Sequence, residues 1–216
     1  MPRTSDRRQS EWPLSGATVD LDFVAQRYWW SGGKKTTADF TTFTLSGSTF
    51  DGLGLTPSDT IDVTLALAGL GTFIPGAWAY AITQTAAPVA NRAWVHLDDG
   101  TVSERVAAYQ TTGPQQSLAV ADGGVAQAAI FVAATSLNVR HGCCGSYATN
   151  DIKFAANGFQ GTQDTVATMP TVTTLRIGRE PGVAAPLGSI ARVILFTAAK
   201  SQGDVNAISI AMRDNR

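Results

Sequence analysis

In the segment ATVDLDFV, residues 17–24, the apolar Ala17, Val19, Leu21 and Phe23 alternate with Thr18, Asp20 and Asp22. A two-residue period places all four apolar side chains on one face of an extended strand; a helix would scatter them around its circumference. The period returns in IDVTLALAG, where Ile61, Val63, Leu65 and Leu67 share a face, and in AWAYAITQT, where Trp78, Tyr80 and Ile82 do. Strands buried on one face have to pair, and the punctuation between them favours antiparallel hairpins. Asp-Gly or Asn-Gly stands at 51–52, 99–100, 122–123 and 157–158. Each is a candidate type I′ turn, because both central residues tolerate positive φ. Further strands are expected at 125–139, 151–156, 172–178 and 189–196, and the whole reads as an antiparallel meander or jelly roll.

Composition agrees. The chain holds 26 Thr and 21 Gly but only 3 Glu and 4 Lys, a balance that suits pleated, half-buried surface and turns better than exposed helices. One helix is expected, in SQGDVNAISIAMR: Ser201 can cap it, Asp204 takes its third position, and Val205, Ile208 and Met212 recur at helical spacing. At 216 residues and 44% hydrophobic, the chain fits one β-sandwich domain over 17–216, preceded by a polar arm over 1–16. No heptad or collagen-like triplet recurs, so the chain does not build a long fibre by itself.

The net charge of −1 offers no basic field for nucleic acid. No apolar run reaches membrane-spanning length and no signal-peptide pattern opens the sequence. The expectation is therefore a protein made in a cytoplasm, without membrane insertion, that leaves the cell by a route such as lysis. Cys143 and Cys144 are neighbours whose side chains point opposite ways on a strand, so a disulfide would be strained. A zinc site would need both His96 and His141 to complete it. Two small buried thiols are the simpler reading.

Catalytic patterns are missing. RYWWSGGKKTT, residues 27–37, has Tyr28 where a phosphate loop needs its first glycine, and Lys35 where it needs Ser or Thr. Glycosidase chemistry needs paired carboxylates. Glu104 and Glu180 lie far apart, and Asp20 and Asp22 read as solvent-facing strand residues. No G-x-S-x-G elbow occurs, and His141 beside Cys143 has nothing to form an oxyanion hole. Asp98, Asp99, Asn150 and Asp151, with Asp122, offer hard oxygen donors in loops and could hold calcium; the competing reading is turn geometry. Sugar-stacking rings are available in Trp12, Tyr28, Trp29, Trp30, Trp78, Trp94 and Tyr147, and alternation lets only one of Trp29 and Trp30 face the core.

In the C-terminal part, HGCCGSYATNDIKFAANG is followed by DTVATMP, TTLRIGRE and LGSIARVILFTAAKSQGDVNAIS. The order of Ser146-Tyr147, Asn150-Asp151, Asn157-Gly158, Leu175, Ile177-Gly178, Gly188, Ile190 and Arg192-Val193 resembles the C-terminal half of concanavalin A-like (laminin G-like) jelly rolls. Asp22-Phe23, Tyr28-Trp29, Gly32-Gly33 and Asp39-Phe40-Thr41-Thr42-Phe43 are similar to the variant found in virion proteins of tailed bacteriophages. The resemblance implies a non-enzymatic virion structural protein of the tail, a fibre or the head surface. Its arm would be anchored to other virion proteins through Arg3, Arg7 and Arg8, and the chain would form a homo-oligomer, taken as a trimer. Trp30 is the ring expected to face a partner or a host surface glycan, with Tyr28, Trp29 and Trp12 as further contacts. The alternatives are a free carbohydrate-binding or polysaccharide-degrading protein and a purely architectural capsid-decoration protein. The family's metal ligands have no residue-by-residue match here, so the resemblance carries over no calcium site.

Overall fold

A computed structural model of the chain describes residues 15–30, 33–36, 47–58, 63–67, 72–113, 115–132 and 136–214, with backbone alone at 30, 33–36 and 63–66. The alternating segment at 17–24 becomes β1 (Val19–Asp22), with Val19 and Leu21 buried and Phe23 buried just beyond it. It belongs to a ten-stranded sheet A. In spatial order this runs β14 (Phe159–Gln160), β13 (Asp151–Ala156), β12 (Arg140–Ala148), β7 (Gly76–Gln84), β16 (Gly188–Phe196), β1, β2 (Arg27–Trp30) and β3 (Gly33–Thr36). The hairpin β4 (Thr49–Asp51) and β5 (Gly54–Thr56) joins through β5 to β16. Sheet B has six strands, ordered β11 (Val125–Val132), β10 (Gln116–Asp122), β9 (Arg105–Gln110), β8 (Arg92–Asp98), β15 (Thr174–Ile177) and β6 (Val63–Ala66). All strand pairings are antiparallel. The result is the all-β two-sheet sandwich that the alternation demands.

The main core lies between the sheets. Trp78, Tyr80 and Ile82 of β7 share it with Tyr147 and Phe154 from sheet A, and with Leu97, Val106, Leu118 and Leu175 from sheet B. The Trp78 ring lies 5.4 Å from that of Tyr80 and meets Phe154 edge-on at 6.0 Å, an arrangement that suits aromatic quadrupoles. Sheet A is buried on its other face as well. There Ala77, Ala79 and Ala81 of β7, with Cys144, Ile194 and Phe196, lie under Val205, Ile208 and Met212 of α1 (Gln202–Arg213). The alternation of large residues with alanine in GAWAYAITQ therefore encodes two layers: bulk for the sandwich and a flat floor for the helix. α1 starts where its cap predicts, with Ser201 Oγ accepting from Asp204 N at 3.1 Å. Cys143 faces the main core and Cys144 the helix; both are free and buried.

Several local expectations need correction. Of the four candidate turns, only Asn157-Gly158 has both central residues at positive φ, 55° and 86°. At 122–123 the turn is shifted by one residue, to Gly123-Gly124, because Asp122 pairs with Val125. At 51–52 Asp51 lies in the ladder opposite Gly54 and its carboxylate accepts from Leu53 N and Gly54 N, so hydrogen bonding holds that turn. At 99–100 the connection is longer, running from Asp98 to Arg105. The strand expected over 125–139 ends at Val132. Asp20 does not face solvent: it is buried against Arg192.

Candidate functional site

The outer face of sheet B gathers polar side chains that lie far apart in sequence. A bulge at Trp94 in β8 turns Trp94 and Val95 toward the core and leaves Ala93, His96 and Asp98 outward. Ladder register then aligns rows across the sheet. Arg176, His96, Ala107, Ala119 and Ala129 form one row. Thr174, Asp98, Arg105 and Ala121 form the next, and Ala93, Tyr109, Ser117 and Phe131 a third.

Within these rows the polar groups make a continuous line. Asp98 Oδ2 lies 2.7 Å from His96 Nδ1 and accepts from Arg176 Nε at 2.8 Å, while its Oδ1 accepts from Gly100 N at 2.7 Å. On the other side of the imidazole, Glu180 Oε2 stands 3.6 Å from His96 Nε2 and accepts from the Tyr109 hydroxyl. Glu180 arrives from the segment after β15, which is tied to β8 by Gly178 N donating to Trp94 O at 2.8 Å. The His96 and Asp98 side chains are fully buried, whereas Arg176 is 19% exposed and Glu180 13%. Burial pushes the Asp98 carboxyl up, but His96, Arg176 and the Gly100 N–H outweigh it and hold the group below 3.8. Burial and the neighbouring Glu180 push the Tyr109 phenol well above its ordinary value, so it stays a hydrogen-bond donor.

Chemically this is a preorganised polar wall. Ala119 and Ala129 leave a low floor beside it, reaching from the half-buried Arg105 toward the exposed ring of Phe131. Arg105 Nε and His96 Nε2 make no hydrogen bond among the described residues. Such a wall can offer guanidinium and hydroxyl groups to a polar ligand lying on the alanine floor. Its carboxylates are tied to protein donors and do not face each other across an open gap.

Of the described residues offered in the sequence as ligand or calcium contacts, Asp98 alone belongs to this wall. Tyr28 is buried in the core, opposite Leu21. Trp29 pairs with Asp20 on the outer face of sheet A and is half-buried, while Trp30 takes the ladder position opposite the core residue Val19. Cross-strand partners share a face, so the register places Trp29 beside Asp20 on the outer face. The Trp30 side chain, Trp12, Arg3, Arg7 and Arg8 lie outside the described residues. The calcium candidates are separated and engaged. Asp98 belongs to the wall, and Asp99 Oδ1 accepts from Thr101 N and Oγ1. Asn150 Oδ1 accepts from Ala167 N, with Asn150 at φ 58° in its turn. Asp151 accepts from Lys153 and Gln163, and Asp122 from Thr168. No group of three or more His, Cys, Asp or Glu suited to a metal occurs among the described residues. Arg105, Tyr109 and Arg176 escaped sequence reasoning, which weighed His96 for zinc and Glu180 as a glycosidase carboxylate; the readable hint was His96-x-Asp98, two polar residues on one face of a strand.

No protein-family model matches the chain, and no curated protein matches it in sequence. Among solved structures, Trypanosoma rangeli sialidase aligns with a TM-score of 0.67 at 11% identity, covering 92% of this chain and 33% of the sialidase. The same sialidase in complex with sialic acid aligns at 0.65 and 13% identity, with the same coverage. The CBM40 module of Ruminococcus gnavus IT-sialidase, bound to α2,3-sialyllactose, aligns at 0.53 and 16% identity over 62% of this chain and 82% of the module. The chain spans about a third of the length of the T. rangeli enzyme. Identities this low establish shared architecture. The chain is an all-β two-sheet antiparallel sandwich with one short C-terminal helix among the described residues, an architecture it shares with that CBM40 module.

Proposed function

We propose that this chain is a non-catalytic glycan-binding module whose ligand lies on the outer face of sheet B. The observation that carries the reading is the wall of Arg176, Asp98, His96, Glu180 and Tyr109 beside an alanine floor, on a fold shared with a module solved with sialyllactose. Guanidinium groups held in place by the wall are preorganised donors for sugar hydroxyl and carboxylate oxygens, and the Tyr109 oxygen, its own proton given to Glu180, can accept from a sugar hydroxyl. The absence of catalysis is part of the proposal. It is supported by Asp98 being held ionised by its neighbours, whereas a glycosidase acid has to stay protonated. The virion setting, with the module displayed on a tail, fibre or head surface and joined to other virion proteins by residues 1–16, rests on the pattern over residues 22–43.

Calorimetric titration with both linkages of sialyllactose and a panel of acidic bacterial surface polysaccharides tests the site. Saturable binding without new reducing ends is expected, and Arg176→Ala and Arg105→Ala each weaken it by about tenfold or more, as loss of a charged hydrogen bond does. Absence of binding to every glycan overturns the site, and new reducing ends overturn the non-catalytic reading. For the setting, deletion of residues 1–16 is expected to leave a folded sandwich that no longer joins the particle; normal incorporation overturns the arm's role.

A further inference from the structure

Asn157-Gly158 is the chain's one Asn-Gly step. Such a step carries a reaction of its own. The Gly158 nitrogen can form a bond to Asn157 Cγ while the Cγ–Nδ2 bond breaks, and ammonia leaves with the proton that the attacking nitrogen gives up. Water then opens the resulting five-membered succinimide at either carbonyl, leaving aspartate or isoaspartate. Glycine has no side chain to hinder this close approach of its backbone.

In the folded chain both reacting groups are engaged, and by different elements. The Asn157 amide lies against β12: its Oδ1 accepts from Gly142 N at 2.9 Å, and its Nδ2 donates to His141 Nδ1 at 2.7 Å. The Asn157 backbone is fastened to the same strand, its N donating to Gly142 O at 2.7 Å. Gly158 N is directed instead to α1, where it donates to Ser209 Oγ at 2.8 Å. Ser209 Oγ gives its own proton to Asn206 O at 2.8 Å, which leaves its lone pairs to accept. The helix also lies over the turn, since a Cβ on Gly158 would fall 2.9 Å from Ile210 Cδ1.

We propose that Asn157 is a deamidation site held shut by the docking of α1, so that its conversion marks chains in which the helix has lifted. Electrophile and nucleophile meet when Gly158 leaves Ser209, and the native rate is then the open-chain rate multiplied by the fraction open. The product opposes reclosure. A carboxylate at position 157 has no N–H to offer His141 Nδ1, and isoaspartate adds a backbone methylene to a turn whose φ values are 55° and 86°. A converted chain therefore keeps a looser helix, and the mark is self-locking.

Peptide mapping by mass spectrometry, on the full chain stored warm at neutral pH, tests this. Asn157 is expected to convert at least about tenfold more slowly in the folded chain than in denaturant, as for a site reached by local opening. Ser209→Ala removes the acceptor of Gly158 N and is expected to speed the native rate roughly two- to tenfold, the effect of one lost hydrogen bond, with the rate in denaturant unchanged. Ile210→Ala, which uncovers Gly158 from a partly exposed position, serves if Ser209→Ala disturbs folding. Converted chains, separated by ion exchange, are expected to show faster hydrogen exchange in α1 and a lower melting temperature. Equal rates in folded and denatured chains overturn the proposal, as do folded variants that convert no faster than the parent. Converted chains whose helix exchanges as slowly as the parent's overturn the self-locking step.

Discussion

Asp20 and Arg192, 172 residues apart, meet through two hydrogen bonds, from Arg192 Nε at 2.8 Å and Nη2 at 2.6 Å, with both side chains at least nine-tenths buried. The pair bridges β1 and β16 on the outer face of sheet A. A carboxylate there balances the charge of a buried guanidinium, so Asp20→Asn is expected to cost about 3–5 kcal/mol. Replacing both with apolar residues of similar volume is expected to recover most of that. Urea denaturation of the single and double variants is the check.

Acid stability should carry the signature of Asp98. Its folded carboxyl titrates below the unfolded value of 3.8, so its contribution is fully present above that value and is lost as pH falls through the lower folded one. Asp98→Asn is expected to flatten the fall in unfolding free energy across that acid range. Part of the slope remains, because Asp51 is also held below 3.8: burial raises it, but Thr56, Ser189 and the Leu53 and Gly54 N–H groups outweigh that.

Helix α1 sits so close on β12 that one glycine decides the contact. A Cβ on Gly142 would lie 2.1 Å from Ser209 O and 2.2 Å from Arg213 N, both backbone atoms that cannot swing aside. Gly142→Ala is expected to push the helix off the alanine floor and destabilise the chain by about 1–3 kcal/mol or more. Gly52→Ala, where nothing lies within 4 Å, is expected to be nearly neutral. Thermal melts compare the two.

The cysteines should be inert while the chain is folded. Burial pushes the Cys143 thiol up to about 12, and that of Cys144 higher still. A thiol-reactive dye is expected to label neither in the native protein and both in denaturant; prompt native labelling would show that sheet A opens locally.

What the sequence disclosed follows from where water reaches. β1 alternates because one face of it meets the core, and α1 announces itself through Ser201, Asp204 and an apolar stripe. β9, RVAAYQ, is buried from Val106 to Gln110, so no polar beat marks it as a strand. Likewise, alternation lets only one of Trp29 and Trp30 face the core, and it is the ladder with β1 that sets Trp29 opposite Asp20 on the outer face. The site was legible only at His96-x-Asp98. Arg176 reaches Asp98 from 78 residues downstream, through a strand pairing that no local pattern encodes.

The place of β1 in sheet A also bears on how fast the sandwich assembles. Its neighbours are β2, close in sequence, and β16, whose Leu195 lies opposite Val19. β16 in turn separates β1 from β7, so the middle of the sheet waits for contacts spanning most of the chain. Closing such long loops is entropically slow, which places folding in the millisecond-to-second regime of high-contact-order β proteins. During that interval β7 presents two apolar faces at once, making it the segment most in need of protection from aggregation before the helix and the second sheet arrive.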